Sequence, residues 1–200
     1  MTESLGAEHE VEMARGRIRY RDTGGNGPVV VFVHGLLVNA DLWRRVVPAV
    51  ASAGARCVAP DWPLGSHDVP MPDADLTPSG VATLIDEFLE HLDLREVTMV
   101  ANDTGGAMTQ LLMARSPERI ARVVLSTSDS LEHFFPPLFV YLPWLARIPG
   151  ALWLMHRSAI WTLAGRLPFG FGALAKHRVD PAVLASWGRP GRRDPAVRAD

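Results

Sequence analysis

The 200-residue sequence predicts an α/β fold, in which a doubly wound and mostly parallel sheet is followed by a helical segment. Short apolar runs of strand length alternate with segments whose apolar residues recur at helical spacing, which is typical of parallel strands joined by right-handed crossover helices. Polar residues end the predicted strands, where the ligands of such sheets bind. These residues are His34, Asp61, Asp103 and Asp129.

The first predicted unit lies between Pro28 and residue 59. Its apolar run is continuous up to His34-Gly35, as expected for a strand that is buried on both faces of a sheet. Apolar residues at helical spacing follow between positions 42 and 50. A short strand over residues 56–59 then completes the unit.

The second predicted unit contains two helices and two strands. Thr77 is expected to cap a helix that begins at Pro78, and the apolar stripe from Val81 to Leu92 is expected to face the core. A strand begins at Val97, the helix after it stops near residue 116, and residues 123–125 form the next strand. The order is therefore strand, helix, strand, helix, strand, helix, strand.

The segment around Asp103 predicts a nucleophile elbow. An apolar run ends at this carboxylate, and the small residues Ala101, Gly105 and Gly106 surround it before a helix opens. A nucleophile on a sharp strand-to-helix turn needs small neighbours, because the turn is strained and the backbone passes close to other elements. A carboxylate nucleophile implies an alkyl ester intermediate. The alternative is that Asp103 is only a helix N-cap, a position that Asp often occupies.

The His34-Gly35 pair indicates an oxyanion loop after the first predicted strand. In such a site one backbone N–H comes from the residue after the nucleophile and one comes from this loop, so the donors would be Thr104 and Leu36. His34 is expected to support the loop. The alternative is that Gly35 ends a strand and the histidine has no further role.

Residues from about 10 to 130 resemble the first half of an α/β-hydrolase-fold protein of the haloalkane dehalogenase and epoxide hydrolase branch. His34-Gly35 followed by Leu42-Trp43-Arg44 and Pro48 is similar to the oxyanion segment of that branch, and residues 102–106 are similar to its elbow. The resemblance implies a hydrolase with the aspartate nucleophile Asp103. Its substrate would be a small apolar molecule such as an ester, an epoxide or a halide.

Two departures leave the cleaved bond open. Dehalogenases hold the halide with a Trp after the nucleophile and often an Asn after His-Gly, whereas this chain has Thr104 and Leu36. Epoxide hydrolases resemble one another in a Pro at the position of Leu37 and in tyrosines of the cap. Tyr141 is the one tyrosine here that falls in the predicted cap.

The partners of the nucleophile are only partly visible. A hydrolytic water needs a histidine base, and the base needs a carboxylate that orients it. Asp129 is a possible acid, and the alternative is a turn or helix-cap residue. Glu132 is a weaker candidate for the acid. The histidines after the elbow lie in the predicted cap, so none is expected to be the base; they are His133, His156 and His177.

The resemblance predicts two parts: residues 1–130 as the N-terminal portion of the hydrolase core and residues 131–200 as a helical cap or lid. The chain is expected to end before the C-terminal core, which would leave a sheet edge open to aggregation or to pairing with another chain. An oligomer is therefore compatible with the sequence. A second class of function stays open, namely a catalytically incomplete fragment or a binding protein that lacks the base histidine.

The composition limits the class of protein and its partners, but it identifies no reaction. A net charge of −2, with 48% hydrophobic and 21% charged residues, suits one soluble domain and gives no sign of a nucleic-acid partner. The single Cys57 suits a reducing, cytoplasmic compartment. The acidic N-terminus does not predict a secretory signal, and no apolar run predicts a stable membrane span. Neither a phosphate loop nor a Cys/His metal cluster is evident, so no cofactor or metal is expected.

Overall fold

A single six-stranded sheet organises the protein, in the order β1-β2-β4-β3-β5-β6. Adjacent strands are antiparallel from β1 to β4 and parallel from β4 to β6. The strands are β1 (Ala7–Met13), β2 (Gly16–Asp22), β3 (Val29–Val33), β4 (Arg56–Pro60), β5 (Val97–Asp103) and β6 (Ile120–Ser128). The computed structural model describes residues 5–130, 141, 144–145, 147–148, 150–155, 175 and 177–200.

Helices connect the parallel strands and continue after β6. A 3-10 helix (Ala40–Trp43) and α1 (Val47–Ser52) join β3 to β4. The longer helices α2 (Pro78–His91) and α3 (Thr104–Arg115) join β4 to β5 and β5 to β6. The described helices beyond the sheet are α4 (Ala151–Met155), α5 (Pro181–Arg193) and α6 (Pro195–Ala199). This alternation confirms the predicted α/β fold with a mostly parallel sheet.

Helices pack on both faces of the sheet, which is why its central strands are apolar on both sides. On one face, α2 and α3 bury a core against Val31 and Val33. On the other face, the 3-10 helix and α1 bury a smaller core against Val30 and Phe32. Successive residues of β3 thus serve opposite cores.

The apolar run between positions 42 and 50 is not one helix. It contains the 3-10 helix, a turn and then α1. Pro48 is the second residue of α1 and has no backbone N–H, so it is tolerated in the first turn of a helix and disfavoured in an interior. This explains why the regular helix begins only at Val47.

The helix start predicted at Thr77 is confirmed by its cap, and two further helices begin with similar caps. The side chain of Thr77 accepts a hydrogen bond from the Gly80 N–H, and Pro78 is the first residue of α2. Asp180 and Asp194 cap α5 and α6 in the same way, and each is followed by proline. These caps satisfy N–H groups that lack an intrahelical partner.

The described part of the predicted cap segment contacts the core domain. From α5, Val183, Leu184 and Trp187 pack against Val38, which lies after β3. From α6, Val197 is buried. The boundary at residues 130 and 131 remains a prediction, since residues 131–140 lie outside the described part of the chain.

The other contact of this segment is a buried polar one. Oδ2 of Asp200 accepts a hydrogen bond from the Met71 N–H at 2.8 Å. The same oxygen is hydrogen-bonded to Nε2 of His67 at 3.0 Å. Both side chains are almost fully buried. His67 therefore holds the end of α6 against the segment between β4 and α2.

Strand β6 lies at the edge of the sheet among the described strands. Val124 and Leu125 expose 50% and 45% of their surface there, whereas the matching residues of β3 are buried. A strand edge with apolar side chains favours pairing with a further strand. No described helix is long and apolar enough to cross a membrane.

Phe88 is predicted to be a main contributor to stability, because its buried ring contacts Tyr20 and Trp62 edge-on at centroid distances of 5.4 and 5.2 Å. We expect Phe88→Ala to lower the free energy of unfolding by about 3–5 kcal/mol, measured by urea denaturation. Met113→Ala, at a residue that is 40% exposed, is the control and should change it by less than about 1 kcal/mol. Equal losses in the two variants would contradict this description of the core.

Candidate active site

Asp103 occupies a strained turn between β5 and α3. Its φ of 56° and ψ of −137° fall in a region that L-residues rarely adopt, at a cost of about 1–3 kcal/mol. Its side chain makes no capping hydrogen bond to α3. In this conformation the side chain does not cap α3, and the strained strand-to-helix turn has the shape expected of a nucleophile elbow.

The elbow requires glycine at three positions. A Cβ atom on Gly105 would lie 2.4 Å from the His34 carbonyl oxygen, and one on Gly106 would lie 2.1 Å from Oγ of Ser128. A Cβ atom on Gly35 would lie 2.2 Å from Oδ2 of Asp103. All three distances are shorter than any real contact, so the small residues allow β3, α3 and β6 to meet at the elbow.

His34 joins the loop after β3 to the end of β4. Its Nε2 accepts a hydrogen bond from the Trp62 N–H at 2.9 Å, which places the ring hydrogen on Nδ1, and Nδ1 donates to the Gly35 carbonyl oxygen at 2.9 Å. The ring is fully buried, and burial lowers the pKa of His34 to about 4. Both nitrogens are engaged and the ring is neutral, so His34 holds the loop and is not placed to act as a base.

The carboxyl of Asp103 is held in an unfavourable setting for negative charge. Burial raises its pKa to about 6, and the negative charge of Asp129 adds to the shift. The side chain lies directly against Gly35, as the short Cβ distance shows. At pH 8 the group is ionised but poorly solvated, which is the state of a reactive carboxylate.

Asp129 follows β6 and lies beside the elbow. The Asp129 N–H donates to the carbonyl oxygen of Asp103 at 3.2 Å, and the side chain of Gln110 donates to the carbonyl oxygen of Asp129 at 2.9 Å. Its Oδ2 is buried and has no hydrogen-bond partner among the described residues. Burial also raises the pKa of Asp129. The structure thus brings the predicted nucleophile and the predicted acid together.

The two predicted oxyanion donors are adjacent, but they differ in what they bind. The Leu36 N–H donates to Oγ1 of Thr104 at 3.0 Å, so its hydrogen is already used within the chain. The Thr104 N–H, the first of α3, interacts with the Asp103 carboxyl and partly offsets the rise in the pKa of that group. Leu37 follows with a φ of 60°, so the loop turns sharply immediately after Leu36.

The remaining candidates lie away from Asp103 or outside the described residues. Asp61 is held by Arg19 at 2.9 Å and by the Ala40 N–H at 2.9 Å. Among the described histidines, none is hydrogen-bonded to Asp103 or Asp129. His177 is exposed, and Tyr141 is 46% exposed. Three further candidates lie outside the described residues, namely Glu132, His133 and His156.

Comparison with protein families decides the identity of the fold. Residues 28–152, more than half of the chain, match the family described as having the alpha/beta hydrolase fold. This chain belongs to the α/β-hydrolase fold family. The match includes β3, the His34 loop, the elbow and β6, so the described geometry lies within the part that defines the family.

Relatives within the family are hydrolases. A haloalkane dehalogenase of Mesorhizobium japonicum is 40% identical over 101 residues, which are 50% of this chain and 32% of that protein. A haloalkane dehalogenase of Psychrobacter cryohalolentis is 34% identical over 109 residues, 54% of this chain and 36% of that protein. The matched region therefore spans about a third of the length of these curated relatives.

Solved structures share the fold at lower identity. A crystal structure of a haloalkane dehalogenase from Agrobacterium tumefaciens has a TM-score of 0.72 and 24% identity, and the alignment covers 96% of this chain and 64% of that chain. The epoxide hydrolase CorEH has a TM-score of 0.75 and 18% identity, with 96% and 70% covered. These likenesses show that the α/β-hydrolase fold extends over the chain.

His34→Ala tests how strongly the loop depends on this ring. The variant leaves the Trp62 N–H and the Gly35 carbonyl without their partner, so we expect the free energy of unfolding to fall by about 2–4 kcal/mol at pH 7. In the wild-type protein, a pKa of about 4 when folded and one near 6.5 when unfolded mean that stability is lost as the pH falls through this interval.

The difference in the free energy of unfolding between wild type and His34→Ala, measured by urea denaturation, should therefore shrink as the pH is lowered from 7 to 5. His91→Ala, at an exposed residue in the last turn of α2, is the control. A gap that stays constant or widens on acidification would contradict a buried, neutral His34.

Proposed function

We propose that this chain carries the nucleophile of a hydrolase in which Asp103 attacks carbon in a small apolar substrate. The observation that supports this most directly is the conformation of Asp103, whose strained φ costs energy and whose carboxylate does not cap α3. Backbone strain of this kind persists where the surrounding structure enforces it, often at active sites. The names of the relatives favour an alkyl halide or an epoxide, and an ester remains a further candidate.

In the proposed reaction, an oxygen of Asp103 forms an ester bond to the substrate carbon while the bond to the leaving atom breaks. The electron pair stays on the leaving atom. The Thr104 N–H interacts with the Asp103 carboxyl before the attack and lies at the positive end of the α3 dipole, so it would stabilise the negative charge on the leaving atom as the ester forms. Asp129 is proposed as the acid that orients a base histidine, because its buried Oδ2 is free for such a partner among the described residues. Water would then hydrolyse the ester.

A second candidate is a protein that binds small apolar molecules without turnover. It is favoured by one observation, namely that none of the described histidines is hydrogen-bonded to Asp103 or Asp129. A reducing, cytoplasmic setting is proposed for either function, supported by the buried free thiol of Cys57.

The proposed nucleophile is tested by incubating the purified chain with propylene oxide and with propyl bromide, followed by intact and peptide mass spectrometry. We expect a covalent mass increment on Asp103 that persists, because no described histidine is placed to activate the hydrolytic water. The rate of labelling should rise as the pH increases through about 6, where the carboxyl ionises. Asp103→Asn should remove the increment, and Asp73→Asn, at an exposed aspartate, should retain it.

Three results would separate the candidates. Product release without an accumulated adduct would show that a histidine supplies the base and would support the complete hydrolase. A persistent adduct would support the attack step alone. A folded chain that neither labels nor turns over either compound would contradict the proposed nucleophile and favour the binding protein.

A further inference from the structure

The elbow and the oxyanion loop contact each other through two consecutive residue pairs. Asp103 lies against Gly35, and the next residue, Thr104, accepts a hydrogen bond from the next loop residue, Leu36. The bond is 3.0 Å long, and the Thr104 side chain is 2% exposed. The hydroxyl therefore contacts the loop amide that follows Gly35, the residue against which the Asp103 side chain lies.

This bond changes which hydrogen is available to a substrate. A backbone N–H has one hydrogen, and that of Leu36 is directed to Oγ1 of Thr104. A hydroxyl can accept this bond and still donate its own hydrogen, and no described residue accepts the hydrogen of Thr104. The O–H of Thr104, on the residue next to Asp103, is thus a side-chain donor that no described residue uses.

Resting on the function proposed above, we propose that the Thr104 hydroxyl stabilises the leaving atom and makes the site selective for oxygen leaving groups. The Leu36 N–H donates to Oγ1, and the O–H donates to the developing oxyanion, so the loop amide acts through the threonine. A hydroxyl that accepts a hydrogen bond is a stronger donor, because neighbouring hydrogen bonds polarise one another.

With an epoxide, the balanced step is a ring opening. A carboxylate oxygen of Asp103 forms a bond to a ring carbon, the bond between that carbon and the ring oxygen breaks, and the electron pair stays on the oxygen. The resulting alkoxide accepts the Thr104 hydrogen bond and then takes a proton from water, which leaves hydroxide. Short O–H···O bonds of about 2.5–3.0 Å suit a compact oxyanion better than a large, diffuse halide.

The kinetic test compares second-order rates of Asp103 labelling by propylene oxide and propyl bromide at pH 8. Thr104→Val keeps the shape of the side chain and removes the hydroxyl, so we expect the propylene oxide rate to fall about a hundredfold, as when an oxyanion donor is lost. The propyl bromide rate should change much less. Thr104→Ser should recover most of the propylene oxide rate that Thr104→Val loses.

A matched control lies five residues further along α3. Thr109 is also buried, and its hydroxyl donates to the Gly105 carbonyl within α3. Thr109→Val should leave the ratio of the two rates unchanged. The proposal is wrong if Thr104→Val slows both compounds equally, leaves the propylene oxide rate unchanged, or raises it, since a rise would mean that the hydroxyl blocks the Leu36 amide.

A binding experiment tests the Thr104 proposal separately from the proposed nucleophile. Failure of both electrophiles to label the chain would refute the nucleophile, and the binding experiment would still decide the role of Thr104. In the Asp103→Asn chain, which lacks the repelling charge, sodium formate should shift the amide NMR signals of Leu36 and Thr104, and sodium chloride should shift them less. Thr104→Val in the same background should abolish the formate response and retain folding, seen in its other amide signals. Equal responses to formate with and without the hydroxyl would overturn the proposal.

Discussion

The candidate site depends on the close approach of the β5-α3 turn to the loop after β3. This approach is possible because Gly35 and Gly105 have no Cβ atom, and Gly106 in the same way lets α3 approach Ser128 of β6. The contact forces Asp103 into a strained backbone conformation and buries its carboxylate against Gly35. Burial then raises the pKa of that carboxylate, so one steric constraint sets both the position and the reactivity of the proposed nucleophile.

Other contacts keep this arrangement rigid. The neutral ring of His34 ties the loop to Trp62 at the end of β4, and Trp62 in turn packs against Phe88 in the main core. On the far side, the Asp129 N–H binds the backbone of Asp103. The elbow is therefore supported from both neighbouring strands, as expected for a site that must hold a strained residue in place.

Local signals in the sequence predicted much of the fold. Thr77 before Pro78 predicts the start of α2, because a cap acts on N–H groups within three residues of it. The small residues around Asp103 predict the elbow because they are its immediate neighbours in the sequence. The resemblance located the oxyanion loop, and the structure adds that its Leu36 amide is already engaged.

The contacts that the sequence did not predict join distant positions. Leu36 and Thr104 are 68 residues apart, and His67 and Asp200 are 133 apart, so neither pair has a local signature. Each becomes visible only when the strand order is known. The same applies to the half-exposed Val124 and Leu125, whose apolar pattern predicts a strand but not its place at the edge of the described sheet.

The reactivity proposed for Asp103 depends on a buried, poorly solvated carboxylate, and a carboxyl NMR titration of the folded chain measures this property. We expect a pKa of about 6 for Asp103, and a lower pKa in Asp129→Asn, since that variant removes the neighbouring negative charge. A pKa at or below the ordinary value of 3.8, unchanged in Asp129→Asn, would show a solvated side chain and would contradict the elbow as the reactive centre.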